Sequence, residues 1–195
     1  MPIRGVVFDL DGTLVSQELD FEAIRREIGL RTGTPLLEAL RTLDAEARRR
    51  AEAILDRHER AAAERASVFA GIPEFLAWLE TRSIRRAVLT RNSRFAAETV
   101  LTRCGLRLDP VVAREDGPPK PDPAGVWRIC AAWALPPRDV LTIGDYLFDI
   151  EAGRKAGTRT ALVTHGRDWP FAHLADVTFP NFRELPDWQD GWFEE

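Results

Sequence analysis

Six short runs of branched and aromatic residues alternate with helical patterns along this chain, and that alternation constrains the fold more than any other feature. Residues 3–8, 87–89, 111–113, 140–143, 160–163 and 177–179 have the length and composition of buried strands. Between them lie apolar stripes at helical spacing: Ile72, Phe75, Leu76, Leu79; Ala97, Val100, Leu101, Cys104; and Val126, Ile129, Cys130, Trp133. Asp122 is a candidate N-cap for the third stripe, with Pro123 at its first helical position. Strand and helix in strict alternation predict an α/β, Rossmann-like fold, a mostly parallel sheet with helices on both faces.

Residues 16–67 interrupt the alternation, because no strand-like run occurs there. Phe21, Ile24 and Ile28 form a short stripe after the candidate cap Asp20. Leu36, Leu40, Leu43, Ala47, Ala51, Ile54 and Ala62 fit one long helix, separated from the first by residues 29–35. The pattern predicts an all-helical insertion at 16–67 in a core made of 1–15 and 68–195. Its ten arginines and eleven acids read as solvated helix faces with local pairs.

Composition narrows the function classes. A net charge of −4 implies no large basic surface, so nucleic acid is not an expected partner. No apolar run reaches the ~18–20 residues of a membrane span, and the start lacks the apolar region of a secretion signal. Cys104 and Cys130 form no CxxC pair or disulfide framework, which fits a reducing cytoplasm. Of 27 basic residues only Lys120 and Lys155 are lysines, so a lysine in a special setting stands out. Oligomeric state is not legible.

Functional groups of open α/β sheets collect at the carboxyl ends of the strands. Four segments expected there carry polar signatures: Asp9 to Thr13, Thr90 to Ser93, the Pro-Lys-Pro-Asp run around Lys120, and Gly144-Asp145 followed by Asp149. Each alone has an ordinary structural explanation as a turn or a cap. Together they bring acids, a hydroxyl and a lysine to one edge, a combination suited to a hard divalent cation and a phosphate.

The segments "VVFDLDGTLV", "LTRN", "KPDP" and "IGDYLFD", in that order, resemble the four motifs of the haloacid dehalogenase superfamily, in its branch with phosphoglycolate phosphatase-like and β-phosphoglucomutase-like members. The insertion falls where that branch carries a helical cap. The resemblance implies an Mg²⁺-dependent phosphatase acting on a small phosphorylated metabolite. It makes Asp9 the nucleophile, Asp11 the general acid and base, and Thr90 and Lys120 the phosphate-binding groups. Asp9, Asp11 (through its backbone carbonyl) and Asp145 would bind the metal, with Asp149 behind it.

Elementary chemistry agrees with those implied roles. A carboxylate attacking a phosphate dianion needs its charge offset before attack. One carboxyl two residues from the nucleophile can protonate the leaving oxygen and later deprotonate water. The second motif departs from the commonest pattern, since Arg91 follows Thr90 and Asn92 comes next; both are candidate substrate-binding residues, and Arg91 is also free to pair with an acid. Two other readings stay open: a phosphomutase of the β-phosphoglucomutase type, and a binding or regulatory protein without turnover. Specificity is expected in the insertion, with Arg25, Arg26 and Arg31 as candidates.

Overall fold

The computed structural model describes residues 2–16, 19–184 and 188–193; residues 17–18 of the expected insertion, and 1, 185–187 and 194–195 of the expected core, lie outside the described residues. In chain order the elements are β1 (Gly5–Phe8), β2 (Val15–Ser16), α1 (Phe21–Ile28), α2 (Leu36–Leu40), α3 (Ala45–Ala63), β3 (Ser67–Val68), α4 (Ile72–Thr81), β4 (Arg85–Leu89), α5 (Arg94–Arg103), β5 (Val111–Val112), α6 (Ala124–Trp133), β6 (Val140–Gly144), α7 (Leu147–Ala156), β7 (Arg159–Val163), β8 (Val177–Phe179) and α8 (Trp188–Phe193). Six strands form one parallel sheet in the order β5-β4-β1-β6-β7-β8. All six expected strands are present, with ends shifted by up to two residues. The first starts at Gly5 because the Ile3 and Arg4 N–H groups donate outside the ladder, to the Trp192 and Asp139 carbonyls.

β1 shows why the sheet needs helices on both faces. Its Val6 and Phe8 pack with the apolar stripes of α4 and α5, while Val7 packs with those of α6 and α7. At α6, Asp122 accepts the Ala124 N–H at 2.9 Å, and Pro123 already has helical backbone angles.

β2 and β3 pair antiparallel as a two-stranded ribbon that leads into the helical insertion and out again. α1, α2 and α3 bury a separate apolar cluster of Ile24, Leu36, Leu37, Leu40, Ala51 and Leu55. The single long helix expected over 36–62 is two helices. Asp44 starts the second by accepting the N–H groups of Glu46 (3.0 Å) and Ala47 (2.9 Å), and the turn before it folds α2 back onto α3. That fold-back also makes Leu55, rather than Ile54, the buried member of the stripe.

Phe75 on α4 is the hub of an aromatic cluster, 6.1 Å from Phe8, 5.9 Å from Trp78 and 5.7 Å from Phe182 between ring centroids. Phe75→Ala should lower the unfolding free energy by about 3–5 kcal/mol in urea titration; unchanged stability would show that this cluster does not hold α4 to the sheet.

Candidate active site

The strand order has a reversal beside β1: the chain builds outward through β4 and β5, then crosses to β6 on the other side. In doubly wound sheets the loops diverge at that point and leave a crevice at the carboxyl ends. Asp9 stands there directly after β1, and its N–H donates to the Ile143 carbonyl of β6 at 2.9 Å. Asp145 follows β6 and Thr90 follows β4. Lys120 arrives from the loop after β5.

Lys120 organises the centre. Its side chain is 3% exposed, and its ammonium donates to Asp9 Oδ1 at 2.5 Å and Asp149 Oδ1 at 2.6 Å. The other Asp149 oxygen accepts the Tyr146 N–H at 3.1 Å, so this carboxylate also caps the start of α7. Two glycines permit the close approach. A Cβ at Gly144 would collide with Asp149, and one at Gly12, where φ is +81°, would collide with the Asp145 carboxylate.

Asp11 is held differently. Asn92 Nδ2 donates to its Oδ2 at 2.5 Å, while its Oδ1 is buried without a partner. Burial, and then the charge of Asp9, push its pKa from 3.8 up to about 7, against the Asn92 hydrogen bond. Burial also raises Asp9, where Lys120 works against the rise and Asp149 adds to it. Asp145 is raised by burial and by the charges of Asp9 and Asp149. Burial alone would lower Lys120; Asp149 and Asp9 outweigh it and hold the ammonium above its ordinary range.

Asp9, Asp145 and Asp149 each offer an oxygen within 4.8 Å of the others. An all-oxygen set in which Asp9 and Asp145 are raised fits a hard divalent cation, because two positive charges would relieve what Lys120 leaves unbalanced. The Asp11 carboxylate lies outside this trio.

The other expected residues are close by. Thr90 is buried, and its hydroxyl accepts the Asn92 N–H at 3.1 Å. The Asn92 amide is engaged on Asp11. Arg91 donates to the Lys120 carbonyl at 3.0 Å and to both oxygens of Glu38, each at 3.0 Å, so it pairs with an acid of the insertion. Three neighbours went unread in the sequence. Glu38 and Glu59 belong to a charge-rich insertion in which no single acid stands out. His165 had one signal, its place after a strand end. Its ring stacks on Phe69 at 4.5 Å, and Nε2 lies 2.6 Å from the Gly12 carbonyl; a carbonyl only accepts, so Nε2 carries the proton.

Residues 6–163 match the family model described as haloacid dehalogenase-like hydrolase. The chain belongs to that family. It is similar to N-acetylmuramic acid 6-phosphate phosphatase of Pseudomonas aeruginosa, with 32% identity over 96% of this chain and 95% of the relative. Phosphoglycolate phosphatase of Nitrosospira multiformis is 29% identical, with 85% of each chain covered. Among solved structures, a hydrolase from Pseudomonas syringae superposes with a TM-score of 0.78 at 22% identity, over 98% of this chain and 100% of that one. These likenesses agree with the parallel sheet, and the family and relatives make the chain a phosphoric monoester hydrolase. No helix among the described residues is long and apolar enough to cross a membrane.

The raised carboxyls set a pH dependence. Folded Asp11 keeps its proton up to about pH 7, whereas unfolded it releases it near 3.8, so within that window the folded state binds more protons. Stability from this group is therefore greatest at the acidic end and declines as pH rises. In chelator, the urea midpoint of the wild type should fall between about pH 4 and about pH 7 more steeply than that of Asp11→Asn; parallel profiles would contradict the assignment.

Proposed function

We propose that the chain is an Mg²⁺-dependent phosphatase that hydrolyses a small phosphomonoester through an aspartyl-phosphate on Asp9, in the cytoplasm. The observation that carries this reading is the pairing of two unlike carboxyls two residues apart. Asp9 has its charge offset by the Lys120 ammonium, while Asp11 holds a proton near neutral pH and has one oxygen free of hydrogen bonds. One is suited to attack and the other to proton transfer.

In the first displacement an Asp9 carboxylate oxygen bonds to phosphorus as the bond to the leaving oxygen breaks. Asp11 gives that oxygen its proton. In the second, Asp11, now a carboxylate, takes a proton from water as the water oxygen attacks phosphorus, which frees Asp9 and restores Asp11. Lys120 offsets charge on Asp9 and on the phosphoryl oxygens, and the Thr90 hydroxyl donates to the phosphoryl group. Asp9, Asp145 and the Asp11 carbonyl would hold Mg²⁺, with Asp149 behind it. When bound, the ion supplies charge compensation between nucleophile and phosphoryl oxygens. Asn92 fixes the Asp11 rotamer. The insertion at 16–67 serves as a lid on the core formed by 1–15 and 68–195, with the β2–β3 ribbon as its tether.

Asp9→Asn should lower turnover by about a thousandfold or more while keeping a cooperative unfolding transition, and Mg²⁺ should restore to the wild type the activity lost in chelator. The wild type should release one phosphate per dephosphorylated product. An isomeric sugar phosphate formed without free phosphate would mean a mutase; wild-type turnover in the purified Asn variant would remove Asp9 from the mechanism.

A further inference from the structure

The face that the insertion turns to the core bears carboxylates, not the arginines expected there. Arg25 is tied to Glu22 and to the Thr34 carbonyl within the insertion, and Arg26 and Arg31 are exposed. Instead Glu38, Asp56 and Glu59 meet the two core arginines, Arg91 and Arg114. Arg114 donates to Asp56 at 2.8 Å and to Glu59 at 2.5 Å, and Glu59, 2% exposed, also accepts the Ser93 N–H at 3.1 Å.

Arg91 matters most because of where it stands. It follows Thr90, donates to the carbonyl of Lys120, and lies over the ring of Phe148 on α7, 4.5 Å from the centroid. It thus spans three of the four loops that build the centre. A guanidinium at the edge of a phosphoryl site, with a planar fork of donors, is the natural holder of a second anionic group on a substrate. Here both Glu38 oxygens already take Nη2 of that fork, and the Lys120 carbonyl takes Nη1. The pair is partly open, at 21% and 41% side-chain exposure, so a substrate can reach it.

We propose that Glu38 is a specificity-determining residue: it occupies Arg91 in place of a substrate carboxylate and restricts the site to phosphomonoesters whose leaving group is uncharged. The inference rests on the phosphatase reading above and adds the substrate class. An entering carboxylate must displace Glu38 from Arg91 and then sit beside Glu38 and near the buried Glu59; among the described residues the only other cation paired with either acid is Arg114, which Glu59 and Asp56 already engage. Like charges brought together out of water are strongly unfavourable. An uncharged group leaves the pair intact. It also finds an apolar wall, since Tyr146 is 43% exposed next to Asp145 and its ring packs edge-on against Phe148, Trp169 and Phe171. The inference separates this chain from relatives named for N-acetylmuramic acid 6-phosphate and phosphoglycolate, names that each denote an acid on the leaving side.

The test compares two esters that differ chiefly in the carboxylate, phosphoglycolate and 2-hydroxyethyl phosphate, by kcat/KM with Mg²⁺. The ratio within one enzyme preparation is independent of the fraction correctly folded. The wild type should favour 2-hydroxyethyl phosphate, and Glu38→Gln should shift the ratio toward phosphoglycolate by about tenfold or more. Adding Arg91→Gln to Glu38→Gln should cancel that shift, because the freed fork is what accepts the carboxylate. A ratio unchanged in Glu38→Gln overturns the proposal. So does a wild type that prefers phosphoglycolate and loses the preference in Arg91→Gln, since Arg91 would then read the carboxylate directly. Failure of the wild type to release phosphate from any phosphomonoester, a generic aryl phosphate included, would instead overturn the phosphatase reading, and this inference with it.

Discussion

The structure depends on one buried cation. Lys120 lies between Asp9 and Asp149 and draws together loops that follow three different strands. Without it, Asp9, Asp145 and Asp149 would face one another across the end of β1 and β6 with no other side-chain cation paired to them among the described residues. A buried pair deprived of one partner leaves an uncompensated charge, which costs far more than the intact pair contributes. The single ammonium balances part of the cluster, and the raised carboxyl pKa values record the part it does not. That residual imbalance is what suits the three carboxylates to a divalent cation.

Around this centre the sheet and the helices act as a positioning frame. The reversal of strand order at β1 brings Asp9 and Asp145 side by side. The glycines before and after them remove the Cβ atoms that would hold the acids apart. Asn92, fixed between the Thr90 hydroxyl and Asp11, sets one carboxyl apart from the others. His165 ties the turn at Gly12 to Phe69, just beyond the ribbon that tethers the insertion. One imidazole therefore links the turn that follows Asp9 to the segment that leaves the ribbon.

What was legible in the sequence follows from the range of the interactions. The strands could be read because buried parallel strands are short continuous apolar runs, and Asp9 stood out because a strand end has no need of a carboxylate. Lys120 stood out against an arginine-rich background. The break between α2 and α3 was missed because Leu36 to Ala62 keeps helical spacing through it, although Asp44 was a local cap signal. Glu38 and Glu59 were invisible for a different reason. Their partners, Arg91, Ser93 and Arg114, lie 34 to 55 residues away, and an acid in a helix face looks the same whether it meets water or a buried arginine.

The proposed reaction stands on Asp9 as the group that accepts the phosphoryl, served by Lys120 and Asp11. The most direct measurement is rapid acid quench of the wild-type enzyme during turnover of a ³²P-labelled phosphomonoester, followed by borohydride reduction and peptide mapping. Label is expected on the peptide that holds Asp9, with reduction converting that aspartyl-phosphate to homoserine at position 9. Full turnover with no labelled protein, or label on any other residue, would contradict it.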